Sequence, residues 1–234
     1  MAGAALIPAA ARSMLKIMPR VLFINPNASQ GCTAGIDAAI APLRFPGGPV
    51  LDVAGLQDGP PAILSWQDWH AAVGPLYRCI GANEASGAAD AYVVACASDP
   101  GIEAARAVTS RPVLGVFRCA IAAAAARAER FGVLAIVDAS IARHRAALRA
   151  MGLEGRLAAE VALNVPMDDL LDPVAARAAL VQAGRDCVAA GAGVLVLGCT
   201  GMAHHRAALA QAAGVPVIEP CQAAALQAIG ALIA

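Results

Sequence analysis

The sequence predicts an α/β protein of two pseudo-symmetric parallel-sheet lobes that face each other across a cleft. Three observations carry that expectation. Short runs that are apolar throughout alternate with long alanine-rich segments, the pattern of strands buried on both faces and joined by crossover helices. Hydrophobic residues make up 59% of the chain but aromatic residues only 3%, so the apolar excess is alanine and aliphatic, which suits helices packed closely on buried sheets. Finally, the second half of the chain repeats the order of the first.

Taken in order, VLFI (21–24) reads as the first strand and ends in the polar loop Asn25-Pro26-Asn27-Ala28-Ser29. Asn27 with Gln30 three residues on resembles a capping box, so a helix is expected to follow. AYVVA (91–95) is the next strand and runs into Cys96-Ala97-Ser98-Asp99-Pro100-Gly101. Asp99 reads as an N-cap and Pro100 as a first helical residue, so a helix is expected just past Cys96. VLGV (113–116) is a strand before a helix at Cys119–Arg130, and VLAIV (133–137) is a strand before Asp138-Ala139-Ser140 and a helix at Ile141–Met151. Ser140 fits a cap of that helix or a ligand contact equally well. A helix at Val174–Ala190 precedes the strand VLVLG (194–198), after which Thr200 is placed to cap the next helix; VPVIE (215–219) is the last strand.

The repeat ties these elements together. Cys96 is followed by Pro112-Val113 and Cys199 by Pro216-Val217, at separations of 16 and 17 residues. Each Pro-Val leads to a further cysteine, Cys119 or Cys221, and an alanine-rich helix. The expected units are a lobe at 18–115 and a lobe at 116–234, with 216–234 able to pack back on the first. Residues 1–17 read as a disordered extension ahead of Met18. Duplicated lobes pack around a pseudo-two-fold axis, and open α/β sheets bind ligands beyond the carboxyl ends of their strands. Cys96 and Cys199 are therefore expected to face one cleft.

Composition excludes several functions. Lys plus Arg and Asp plus Glu are 17 each, leaving no net charge to attract nucleic acid or an anionic membrane. No unbroken apolar run approaches the roughly 20 residues needed to span a bilayer. The apolar patch at the N-terminus has no basic region ahead of it, unlike a secretory signal. A soluble cytoplasmic protein is expected, a homo-oligomer with a small-molecule partner. The seven cysteines show no CxxC and no zinc-like Cys/His spacing, so no metal is expected. Cys32, Cys79, Cys119, Cys187 and Cys221 read as small buried hydrophobes. Cys96 and Cys199 differ. Each is expected at a helix N-terminus that would favour its thiolate. The small neighbours Ala97, Gly198 and Gly201 leave room for a substrate to approach the backbone.

NPNAS (25–29), ACASDPG (95–101) and LGCTGM (197–202) resemble the aspartate/glutamate/hydantoin racemase superfamily, over nearly the whole chain from Met18. The resemblance implies cofactor-independent racemisation by two cysteines, one on each face of the stereocentre; here these are Cys96 and Cys199. Inverting a carbon acid needs a base on one face and an acid on the other, roles a thiolate and a thiol can fill. The expected substrate-binding residues are Asn25, Ala97, Ser98, Ser140, Thr200 and Gly201. Asn25 would donate to a ligand carbonyl, and the backbone N–H groups near Ala97 and Thr200 would form an oxyanion hole. The amino-acid racemases carry Asn-Thr after the first cysteine, where this chain has Ala97-Ser98. ASDPG is similar instead to the hydantoin and allantoin racemases, which implies a 5-substituted hydantoin or a related ureide. Ala135-Ile136 and Arg118 depart from that branch, which carries Thr-Thr and Glu there.

Four alternatives stay open: an aspartate/glutamate-type racemase, a decarboxylase or cis–trans isomerase on the same scaffold, a non-catalytic small-molecule binder, and a dithiol redox protein. The decarboxylases keep one of the two cysteines, and a binder needs neither. A redox pair would need sulfurs close enough to bond. His204 and His205 are expected on a helix surface, outside the chemistry.

Overall fold

Each half of the chain builds the same sheet. The computed structural model describes residues 18–166, 169, 170, 172 and 174–233; segment 1–17, expected as an extension, lies outside the described residues. Strands β1 (Arg20–Asn25), β2 (Val50–Gly55), β3 (Ala91–Val94) and β4 (Val113–Gly115) form a parallel sheet in the order β2-β1-β3-β4. Strands β5 (Phe131–Ala135), β6 (Leu157–Ala162), β7 (Val194–Gly198) and β8 (Val217–Ile218) repeat it in the order β6-β5-β7-β8. The helices are α1 (Gln30–Ile40), α2 (Trp66–Ala71), α3 (Val73–Ser86), α4 (Ile102–Arg106), α5 (Val116–Ala125), α6 (Asp138–Ala150), α7 (Arg177–Ala189), α8 (Arg206–Ala213) and α9 (Pro220–Ile233). None of them, among the described residues, is long and apolar enough to cross a membrane.

The pleat explains how the lobes join. Side chains alternate across a strand, so an all-apolar strand feeds two cores at once. In β1 and β3, Val21, Phe23, Ala91 and Val93 point inward, while Leu22, Ile24, Tyr92 and Val94 point outward to a core they share with α3 and α4. In β5 and β7, Phe131, Val133, Val194 and Val196 enter the same inner core, while Leu134, Leu195 and Leu197 meet Leu180 of α7 and Leu209 of α8. Between the sheets lie α5 and α9, supplying Phe117, Ile121, Ala224 and Ala228. The C-terminal helix α9 packs on α5, α1 and β3. Alanine is what lets these helices approach so closely.

Two strands escape the sequence pattern. β2 (VLDVAG) and β6 (LAAEVA) are sheet edges, only partly buried, and carry Asp52 and Glu160 in place of an unbroken apolar run. The expected strands keep their places, with ends moved by at most two residues.

Three expected caps are corrected. Asp99 does not cap the helix that follows it; α4 begins at Ile102 behind Gly101, without a side-chain cap. Fully buried and at φ 46°, Asp99 turns instead to the start of α5, where its carboxylate accepts from the N–H groups of Phe117 (2.9 Å) and Arg118 (3.0 Å). Arg118 completes the arrangement by pairing with Asp99 and Glu103. The position before α5 must be glycine, because a Cβ on Gly115 would lie 2.4 Å from the Asp99 Oδ2. Asn27 likewise does not cap α1: Ser29 does, accepting from the Cys32 N–H, while Asn27 accepts from the Ser29 N–H. Thr200 opens a 3₁₀ helix, Thr200–His205, whose N-cap is Cys199. That tighter coil also turns His205 inward, buried with its Nε2 on the Leu170 carbonyl, while His204 stays exposed.

Asp99→Ala removes a cap whose N–H partners are buried. It should lower stability by about 2 kcal/mol, the upper end of a cap's worth, read as a lower urea midpoint at unchanged slope. An unchanged midpoint would show that α5 does not depend on this carboxylate.

Candidate active site

The two sheets present their carboxyl ends to one cleft of about 620 Å³, mouth included. Cys96 and Cys199, at matching positions beyond β3 and β7, both line it. The chain leaves β3 with the Ala95 N–H on the Ile24 carbonyl at 2.8 Å, and Cys96 follows at once. Cys199 sits in extended conformation directly after Gly198. A Cβ on Gly198 would stand 2.5 Å from the Leu134 carbonyl oxygen, a backbone atom that cannot swing away. Glycine there holds β7 tight on β5 beside the thiol.

Both sulfurs receive the same local support. The backbone N–H two residues on favours each thiolate: Ser98 for Cys96 and Gly201 for Cys199. The Ser98 hydroxyl adds a contact of 3.5 Å to Cys96. Burial nevertheless dominates. It pushes the Cys199 thiol up to about 12 against the pull of the Gly201 N–H, and Cys32 and Cys96 raise it further. Burial also pushes Cys96 up, with Ser98 and Arg143 pulling down and Asp99 adding to the rise. The expectation of two thiols lowered by helix N-termini is therefore overturned. Cys96 precedes a turn rather than a helix, and Cys199 caps only a short 3₁₀ coil.

Among the expected binding residues, Ala97, Ser98, Ser140 and Thr200 line the cleft. Asn25 does not. It is buried behind the wall, its amide donating to Asn27 Oδ1 (3.0 Å) and Thr33 Oγ1 (3.0 Å) and its Oδ1 accepting from the Asn27 N–H. The strand-end asparagine shapes the loop that brings Asn27 and Ser29 to the cleft instead. Gly201 acts through its N–H on Cys199 rather than by lining the space. Cys32, expected as packing, borders the cleft.

Sequence reasoning found only Ser140 of one wall and missed the cover. Ser140, Arg143 and His144 of α6 are all buried and all line the cleft. Their i, i+3, i+4 spacing puts them on one helix face, a polar trio where an apolar stripe would ordinarily be. That spacing was the available signal. His144 Nδ1 lies 2.6 Å from Glu160 Oε1 of β6, and its ring stacks on Phe117. The cover is residues 61–64, from the first lobe. It is held by the Arg143 guanidinium on the Leu64 carbonyl (3.3 Å) and followed by α2, which a Ser65–Asp68 capping box starts and the Trp69 indole N–H ties to the Ser98 carbonyl at 3.1 Å. The cover and the turn after Cys96 are therefore tied down together, with Arg143 reaching across from the second lobe.

The family model described as Asp/Glu/hydantoin racemase matches residues 21–228. A hydantoin racemase of Paenarthrobacter aurescens is 34% identical, covering 88% of this chain and 87% of its own. An allantoin racemase of Klebsiella pneumoniae superposes with a TM-score of 0.82 at 30% identity, covering 92% of this chain and 88% of its own. One from Pseudomonas fluorescens gives 0.80 at 25% identity, covering 92% and 91%.

A thiol raised by burial is protonated at neutral pH and gains thiolate as the pH climbs towards its pKa. Iodoacetamide labelling of Cys199 in the native protein, read by peptide mass mapping, should therefore rise about tenfold per pH unit from pH 7 and keep rising above pH 9. A plateau near the ordinary cysteine value of about 8.5 would show that burial does not govern this thiol.

Proposed function

Because the chain belongs to the aspartate/glutamate/hydantoin racemase family, we propose that it is a cofactor-independent racemase using Cys96 and Cys199 as opposed acid and base. The observation that carries the proposal is the placement of two free thiols at equivalent strand ends of one cleft, each supported by an N–H two residues on. On one face a thiolate takes the proton from the stereocentre, and the C–H electron pair moves into the adjacent carbonyl to give a planar enolate. On the other face the thiol gives its proton to that carbon. The product leaves inverted, with the protonation states of the two sulfurs exchanged, and the reverse turnover restores them. Removing water from the cleft raises the cost of a free thiolate but strengthens every dipole aimed at the reacting atoms. In this reading the N–H groups near Ala97 and Thr200 meet the developing oxyanion.

The substrate class we propose is a 5-substituted hydantoin or a related ring ureide such as allantoin. Ala97-Ser98 beside the first cysteine favours it, and so do the hydantoin and allantoin racemases among the relatives. Pro61, Ala62, Ile63, Leu64 and Ile136 supply an apolar surface for the substituent.

In D₂O, with 5-substituted hydantoins, allantoin, aspartate and glutamate offered separately, loss of the proton signal at the stereocentre should be fastest for a ring ureide. Faster exchange of a free amino acid would overturn the substrate class. Cys96→Ser and Cys199→Ser should each lose racemisation by about 10²- to 10⁴-fold, the worth of a positioned acid or base. Each variant should still wash deuterium into one enantiomer, the preferred enantiomer differing between the two. Near-normal racemisation by either would end the two-thiol mechanism.

A further inference from the structure

Arg143 is a buried cation without an anion. It is 3% exposed, and the bonds it makes go to neutral oxygens: the Leu64 carbonyl from both Nη1 and Nη2 at 3.3 Å, and the Ser140 hydroxyl from Nη2 at 3.2 Å. Its Nε is buried with no partner. Among the described residues no carboxylate lies within ion-pair distance of it. Asp68 attracts it from α2, but that carboxylate is engaged by the Ser65 hydroxyl and the N–H groups of Leu64 and Ser65. The indole of Trp66 sits 6.0 Å from the guanidinium carbon. By contrast Arg118, at 19% side-chain exposure, has two carboxylates.

An unpaired buried charge costs several kcal/mol, and this one lines the cleft that holds both thiols. Cys96 and Arg143 already act on each other electrostatically. The remaining titratable groups at the cleft are Cys32, Cys199 and His144, the last paired to Glu160. We infer that Arg143 is the anion-binding group of the cleft and takes up the negative charge that proton removal places on the carbonyl oxygen of a ring ureide. The inference rests on the racemase reading. When the C–H proton passes to the Cys96 thiolate, the negative charge moves from sulfur to the enolate oxygen, and Arg143 balances it in both places. The Nη1 and Nη2 groups are free to exchange their long bonds to neutral oxygens for shorter, charge-assisted ones. Ser140, one turn earlier on α6, holds the guanidinium at that wall.

Two planar six-membered ring ureides test this: barbiturate, which is anionic at neutral pH, and uracil, which is neutral. Isothermal titration calorimetry should show the wild-type protein binding barbiturate about 10- to 100-fold more tightly than uracil, the worth of a hydrogen bond to a charged group. Arg143→Gln should bring the two within a few-fold, and Arg143→Lys should keep most of the preference. With a hydantoin that the wild-type enzyme racemises, Arg143→Gln should lower kcat by about 10²- to 10³-fold at little-changed KM, because the enolate exists only after proton removal. A role confined to pinning the cover at Leu64 would instead raise KM. Equal binding of the two ureides by the wild-type protein, binding of neither, or a barbiturate preference that survives Arg143→Gln would overturn the inference. Should Arg143→Gln fail to fold by circular dichroism, the wild-type and Arg143→Lys comparisons still decide. Arg143-dependent barbiturate binding without racemisation of any ureide would uphold the anion site and refute the racemase reading alone.

Discussion

The two sheets share one apolar layer, and the rest of the molecule depends on that sharing. Inward side chains of β1 and β3 and of β5 and β7 meet α5 and α9 in a single core, so neither sheet is free to turn relative to the other. A buried aliphatic side chain stabilises the fold by about 1.5–3 kcal/mol, and this layer sums many of them. Rigid sheets ending side by side leave a gap beyond their carboxyl ends, and the residues leaving β3 and β7 must enter it. The cleft is a by-product of how the layers pack, and the two thiols are its natural contents.

Burial is also what makes the site chemically demanding. The apolar surroundings that fix each cysteine oppose its charged form. The fold answers with local dipoles, the N–H groups of Ser98 and Gly201, which follow their cysteines at the same spacing in both halves. Symmetry stops there. Cys96 has the Ser98 hydroxyl and feels Arg143, while among the described residues no cation acts on Cys199 in the same way. Duplicated halves thus supply two similar thiols in unequal fields.

Position is secured by a second set of contacts that cross between chain segments. The Asp99 carboxylate leaves the turn after Cys96 to cap α5, so that turn and that helix are fixed together. Trp69 holds the Ser98 carbonyl, and Arg143 of the second half holds Leu64 of the first. The Asp99 and Trp69 links tie the turn after Cys96 to elements outside the cleft, and the Arg143 link joins two of its walls.

Much of the architecture was legible in the sequence, because an all-apolar run of four or five residues followed by an alanine-rich helix has few other ways to bury itself. The repeat of Cys and Pro-Val located both thiols, since a duplicated unit must put equivalent residues at equivalent strand ends. The edge strands β2 and β6 were not legible, because half-burial leaves no distinct pattern in VLDVAG or LAAEVA. Local rules misassigned Asp99 and Asn25. A polar side chain near a helix start satisfies whichever buried N–H the fold brings closest, and for Asp99 that is one 18 residues away. The places of Arg143 and His144 beside Ser140, and the direction of the thiol pKa shifts, were decided only in three dimensions. Desolvation and unpaired charge depend on what packs around a group, and sequence spacing does not carry that quantity.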